Sequence, residues 1–155
     1  MQVVILVGLP GSGKSTFHLQ RFATTHVHVS RDNFPHNRNP GRRQATLLEE
    51  ALAAGRDVVV DNTNVRAADR APIIEAARRH GATVVGYVFE PDVAACRERN
   101  RRREGRGRVP DVAIYAARKR LEPPTRAEGF DVLMRVRARD DMTFEVTDEA
   151  GAPTG

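Results

Sequence analysis

The chain has 155 residues, 40% of them hydrophobic and 29% charged, the size and balance of one soluble domain with room for a real core. No apolar run approaches the ~18–20 residues that cross a bilayer, and the N-terminal MQVVILVGLP lacks the basic and small-residue flanks of a signal peptide, so no membrane role is expected. A lone cysteine, Cys96, excludes an internal disulfide and fits a reducing cytoplasm.

Strands and helices alternate along the chain. QVVILVG reads as a buried strand, followed by a helix from about Lys14 to Thr24 and a short strand at 27–30. A loop rich in Pro, Asn and Gly runs to Gly41, and RRQATLLEEALAAG forms the next helix, with Leu48, Ala51 and Leu52 inward and Gly55 as its stop. DVVVDN is a strand. A helix over roughly 66–80 contains Pro72 near its start or at a kink, and ATVVGYVFE is the following strand. Residues 92–103 and 110–121 form two further helices, EGFDVLMRVRA holds a fifth strand, and the tail, about 140–155, is expected to be frayed. This order predicts a single α/β domain over 1–155, with a central parallel sheet covered on both faces and ligands off the carboxyl ends of its strands.

The formal charge of +5 has a location. RERNRRREGRGR, residues 97–108, carries seven Arg and two Glu, a net of +5 that equals the charge of the whole chain. A localised basic segment points to phosphate-bearing partners; a solvated helix face is the plainer reading. Of the 25 basic residues only Lys14 and Lys119 are lysines. Keeping Lys at position 14 in so Arg-biased a chain suggests that a compact point charge is wanted there.

Lys14 lies in GLPGSGKST, which fits G-x-x-x-x-G-K-[ST] from Gly8 to Ser15. The motif follows a strand and opens a helix, the context it needs. Its residues Gly8, Pro10, Gly11, Ser12, Gly13, Lys14, Ser15 and Thr16 are expected to surround the phosphates of ATP. Lys14 would bridge the β- and γ-phosphates and Ser15 would ligate Mg²⁺. The fold expected is therefore a P-loop NTPase-type three-layer fold. No N-K-x-D guanine motif occurs, which argues against a GTPase, and the chain is short for a motor core. An Arg-rich helical pair at about 92–122 has the layout of a lid that covers the phosphates and excludes water.

Two acids end strands. Asp32 follows the second strand in HVSRDNF, where it is either a turn and cap residue or the base that takes a proton from an acceptor hydroxyl. Asp61 ends VVVD, where an acid can hold Mg²⁺ through water; Thr63 and Asn64 put small polar groups at the same rim, and a polar turn is the alternative.

GLPGSGKSTF, SRD, DNTN, RN…R…VP and EPPTRAEGFD occur in this order. Together they resemble the 5′-kinase domain of the polynucleotide kinase/phosphatase family, over roughly residues 2–137. The resemblance implies ATP-dependent phosphorylation of a 5′-hydroxyl end of DNA or RNA, with Asp32 as general base and Lys14 and Arg103 in the catalytic set. It places the lid arginines at Arg99 and Arg103, one turn apart on one helix face, and implies substrate contacts from Asp61 and Thr63. It also implies an arginine on the acceptor's phosphate. NFPHNRNPG looks longer than the family pattern, so Arg43 and Arg38 both stay open for that contact. No phosphatase segment is recognisable, so a phosphatase or ligase is expected as a separate partner. Aromatic content is 5% with no Trp, leaving Phe34 and Tyr115 as the candidates for base stacking. Two alternatives stand beside this reading: a P-loop kinase of a small metabolite or nucleoside, and a non-catalytic ATP-binding regulatory module.

Overall fold

The computed structural model describes residues 1–105 and 108–148. Six strands, β1 Gln2–Val7, β2 Val27–Val29, β3 Val58–Asp61, β4 Thr83–Phe89, β5 Val132–Ala138 and β6 Phe144–Asp148, form one sheet in the order β2-β3-β1-β4-β5-β6. All neighbours pair in parallel except β5 and β6. Helices α1 Lys14–Arg21, α2 Pro40–Ala53, α3 Ala67–Arg79, α4 Val93–Arg101 and α5 Asp111–Arg120 complete the fold. Pro72 lies inside α3.

β1 is the middle of the sheet because Val3 to Val7 are apolar without interruption and wholly buried, the pattern of a strand covered on both faces. On one face Val3, Ile5, Val58 and Val60 pack with Leu48 and Leu52 of α2 and Ile73 and Ile74 of α3. On the other, Val4, Leu6 and Val59 pack with Phe17 of α1, Phe89 and Val146. Phe17 is the hub there, with ring centroids 5.1 Å from Tyr87, 5.3 Å from Phe89 and 5.2 Å from Phe144. A third cluster, Leu9, Val65, Cys96, Ile114 and Ala117, seats α4 and α5 over the carboxyl end of the sheet. Cys96 is thus a packed core residue.

The expected frayed tail is corrected by β6. Phe144 and Val146 alternate with Glu145 and Thr147, and the strand pairs antiparallel to β5 from Ala138↔Phe144 to Met134↔Asp148. A tight turn joins them: Arg139 N donates to Thr143 O at 2.8 Å, and Asp141 Oδ1 accepts from Thr143 N at 3.0 Å. The rest of that tail, 149–155, lies outside the described residues. The sheet is therefore mostly parallel, with one antiparallel edge strand.

Arg70 of α3 is completely buried. Its guanidinium donates to Asn64 O at 2.8 Å, to Glu122 O at 3.0 Å and to both Glu128 carboxylate oxygens at 2.8 and 3.1 Å. One side chain thereby ties the β3–α3 turn, the end of α5 and the approach to β5 together. Arg70→Leu would strand a carboxylate and two carbonyls, and urea unfolding should show a loss of about 3–5 kcal/mol, as for a broken buried ion pair.

Candidate active site

The strand order reverses at β1, so crevices open off the carboxyl ends of β1 and β3. The loop after β1 carries the phosphate-binding motif. Gly11 and Gly13 adopt φ of +82° and +97°, a left-handed conformation that costs side-chain-bearing residues energy. Close approach adds a second requirement: a Cβ on Gly11 would sit 2.5 Å from Cys96 O, and one on Gly13 would sit 3.0 Å from the Phe144 ring. α4 and β6 thus press on the back of the loop and hold its shape.

α1 starts at Lys14 with no side-chain cap and no acid in its first turn. Its leading N–H groups and dipole are left for an anion. Lys14 is 8% exposed, and its amine donates to Gly8 O at 2.9 Å, Leu9 O at 2.8 Å and Ser12 Oγ at 3.3 Å. Burial lowers its pKa to about 8; Asp61 is the strongest nearby anion acting in the opposite direction.

A cleft of about 670 Å³ opens in front of this loop, and its lining includes Lys14, Ser15, Arg31, Asp32, Asp61 and Arg103. Pro10, Gly11, Thr16, Asn62, Thr63, Asp69 and Glu104 also reach it. Asp32 stands on a 3-10 turn, Arg31–Asn33, whose cap Ser30 accepts from Asp32 N at 3.3 Å. The turn is anchored across the site: Arg31 N donates to Asn62 Oδ1 at 2.9 Å, Arg31 Nε to Gln44 Oε1 at 3.1 Å, and Asn62 Nδ2 to the same Gln44 oxygen at 2.7 Å. Gln44 itself is buried. The β3 end is fixed from below. Asn64, at φ +48°, donates to Leu6 O at 2.8 Å, and Thr63 O accepts from Gly8 N at 3.0 Å. Asn64 is therefore a strut between β1 and β3, and it also lines the cleft beside Thr63.

This arrangement fits Mg²⁺-ATP. The uncapped helix start, the buried amine and Arg103 suit phosphate oxygens. The Ser15 hydroxyl and the Asp61 carboxylate would supply hard oxygens of the kind that Mg²⁺ and its water shell take.

A family model described as AAA domain matches residues 3–124. The chain belongs to that family. Among individual relatives, the bifunctional polynucleotide phosphatase/kinase of Schizosaccharomyces pombe is 26% identical over 132 residues, covering 83% of this chain and 32% of its own length. A protein of Acanthamoeba polyphaga mimivirus that carries the same name provisionally is 30% identical over 145 residues, covering 87% of this chain and 33% of its own. The chain spans about a third of the length of these curated relatives. In fold it is similar to Chaetomium thermophilum Kti12, solved in complex with ADP-AlF3, with a TM-score of 0.67 and 19% identity over 96% of this chain and 92% of that one. The family match and this likeness give the domain a P-loop NTPase type of fold.

Several expected site residues meet in one cleft: Pro10, Gly11, Lys14, Ser15, Thr16, Asp32, Asp61, Thr63 and Arg103. Others do not. Gly8 packs against Phe89 and Ser12, and Gly13 against Phe144. Ser12 and Arg99 face a separate cavity of about 300 Å³ on the far side of the loop, with Arg137 and Arg139. Arg99 and Arg103 do not share a helix face, because α4 ends at Arg101 and Arg103 lies past it. Arg99 instead donates to Gly11 O at 3.2 Å and braces the loop from behind. Asn100 explains the early stop: it is buried and exchanges two hydrogen bonds with the Val109 backbone, at 2.7 and 3.0 Å, closing the α4–α5 connection. Of the basic segment, Arg106 lies outside the described residues. Arg38 and Arg43 are exposed and do not line the cleft. Tyr115 is engaged by Arg97, whose Nη1 donates to its hydroxyl at 3.0 Å, and Phe34 is half-buried. Arg31, Asn62 and Gln44 join the site without a motif to mark them; the adjacency of Arg31 to Asp32 is the one local signal in the sequence.

Lys14 has a measurable consequence. Its pKa is depressed from 10.5 to about 8, so the ligand-free fold binds fewer protons than the unfolded chain between those values. The ammonium costs stability below about pH 8, on the order of 3 kcal/mol, and the cost is relieved as pH rises toward 10.5. Phosphate oxygens favour the ammonium. Binding of ATP at pH 8 should therefore take up about half a proton, read by calorimetry in two buffers of different ionisation enthalpy.

Proposed function

We propose that this P-loop kinase transfers the γ-phosphoryl group of ATP to a 5′-hydroxyl end of DNA or RNA. The observation that carries the proposal is that Asp32, on a turn anchored through Arg31, Gln44 and Asn62, lines the same cleft as Lys14, Ser15 and Arg103. The polynucleotide phosphatase/kinase names of the two relatives support the acceptor class.

In this reading the loop amides and Lys14 hold the β- and γ-phosphates, and Arg103 meets charge on the group in transfer. Mg²⁺, held by Ser15, neutralises phosphate charge when bound. Asp32 accepts the proton of the attacking hydroxyl; its carboxylate is exposed to the cleft and hydrogen bonds to no other side chain among the described residues, so its oxygens are available. Asp61 and Thr63 line the floor between donor and acceptor. Arg31 takes the part assigned to Arg43 or Arg38, a cation on the acceptor's phosphate, because it lies in the cleft next to Asp32 and its Nε is already fixed on Gln44. A preorganised guanidinium loses little freedom on gripping a phosphate.

Labelled ATP with a 5′-OH oligonucleotide, compared with sugars and nucleosides, tests the acceptor class. Transfer to sugars or nucleosides alone would make this a small-metabolite kinase, and ATP binding without transfer to any acceptor would make it a regulatory module. Asp32→Asn retains size and capping ability, so only loss of the base should register: kcat should fall by roughly 10²–10⁴ with ATP affinity nearly intact. A near-normal kcat would return Asp32 to a turn residue. Arg31→Ala should raise KM for the oligonucleotide roughly 10-fold or more, as for a lost charged hydrogen bond, with KM for ATP little changed. Arg43→Ala should leave both near wild type; the opposite pattern would restore Arg43.

A further inference from the structure

Phosphoryl transfer leaves His18 and His28 without a role, and the two are arranged around Asp61. His28 Nε2 lies 2.9 Å from Asp61 Oδ2. Its ring is stacked on His18 of α1, with centroids 3.9 Å apart and planes 15° from parallel. Sheet register explains the meeting: His28 pairs with Val59, two residues before Asp61 on the same face. α1 lies over that face and presents His18 one turn after Lys14. His18 is buried, and its Nδ1 has no hydrogen-bond partner among the described residues. Burial, and then the neighbouring His28, push its pKa below the ordinary imidazole value, so a neutral ring is held against His28 at the cost of an unsatisfied nitrogen.

Asp61 is 5% exposed. An ionised carboxylate only accepts, so His28 Nε2 carries the proton of that hydrogen bond. One oxygen is thereby tied to the β2 side, and Oδ1 is left for the cleft. The alternative partner is close by. Asp61 is the strongest anion acting on Lys14, yet Lys14 Nζ spends its hydrogen bonds on Gly8 O, Leu9 O and Ser12 Oγ. A carboxylate released from His28 would lower its own desolvation cost by pairing with that amine. The amine would then be neutralised and drawn away from the phosphates.

We infer that His28, backed by the stacked His18, is a positioning residue that clamps Asp61 toward the β2 edge and so keeps Lys14 free for phosphate. The inference rests on the phosphoryl-transfer reading for its effect on rate, and on geometry alone for its effect on ATP binding.

His28→Ala should lower kcat for oligonucleotide phosphorylation by roughly 10–100-fold, the size of effect that loss of an outer-shell partner has at metal sites, with KM for the oligonucleotide little changed. His28→Gln places an amide N–H where Nε2 stood and should recover most of the loss. In an Asp61→Asn background, His28→Ala should add almost nothing, because the residue acts through Asp61. Calorimetry of ATP binding in EDTA should show weaker affinity in His28→Ala and recovery in His28→Gln. Circular dichroism melts establish that each variant is folded. Full, independent loss in the Asp61→Asn background overturns the inference. So does a folded His28→Ala with unchanged ATP affinity, or one that Gln does not rescue. If wild-type protein phosphorylates no acceptor, the kinase reading falls, and the ATP-binding comparison still decides the clamp.

Discussion

The site depends on one desolvated cation. Lys14 is placed where burial works against its charge, beneath a loop whose carbonyls only partly compensate it. An exposed lysine would carry its charge without cost and with little pull on a phosphate, because water screens it. A lysine paired to a carboxylate would be cheaper still and equally weak. The chain takes neither course. It buries the amine, gives it loop oxygens as provisional partners, and keeps Asp61 occupied by His28. A phosphate group would be a favourable partner for this amine, and the uncapped start of α1 begins at the same residue.

Holding such a loop requires rigid backing, which comes from elements far apart in sequence. Phe144 of β6 closes on Gly13, Cys96 of α4 on Gly11, and Thr63 after β3 accepts from Gly8. Arg99 adds a hydrogen bond to the Gly11 carbonyl across 88 residues of chain. Arg70 then locks the turn after β3 to the end of α5. The arginines in which this chain is rich are thus divided among structural tasks. Arg70 and Arg99 act as multivalent donors to carbonyls, a use for which the planar guanidinium is suited and lysine is not.

This division explains what was legible in the sequence. The P-loop was readable because its geometry is local: glycines, a helix start and a lysine within one short segment. The buried β1 was readable from its unbroken apolar run, and Asp32 and Asp61 from their positions at strand ends. β6 was not readable as a strand, because five residues after a polar turn give only a brief alternation, and its value lies in contacts with Gly13 and Phe17 that no local pattern records. The lid face failed for a related reason. Periodicity carried α4 on to Arg103, but Asn100 captures the Val109 backbone and ends the helix at Arg101. Arg31 was hidden because its side-chain position is set by Gln44, 13 residues away, and Asn62, beyond α2.

The same reasoning separates Arg99 from Arg103 in kind. In a continuous helix both would point toward one ligand, and the lid would present a flat basic face. Because the helix stops between them, Arg99 is committed to the loop's own backbone while Arg103 turns toward the cleft. The cleft lining then holds Lys14, Arg31 and Arg103 against Asp32, Asp61, Asp69 and Glu104. Its charges are mixed and ordered, with no general excess of cations. Any bulk attraction for a polyanion would come from the arginines outside it, and such screened attraction sets encounter more than geometry. In the proposed reaction, discrimination would fall to the fixed groups inside: the buried Lys14 amine toward the phosphates, and the braced Arg31 beside Asp32 toward the acceptor.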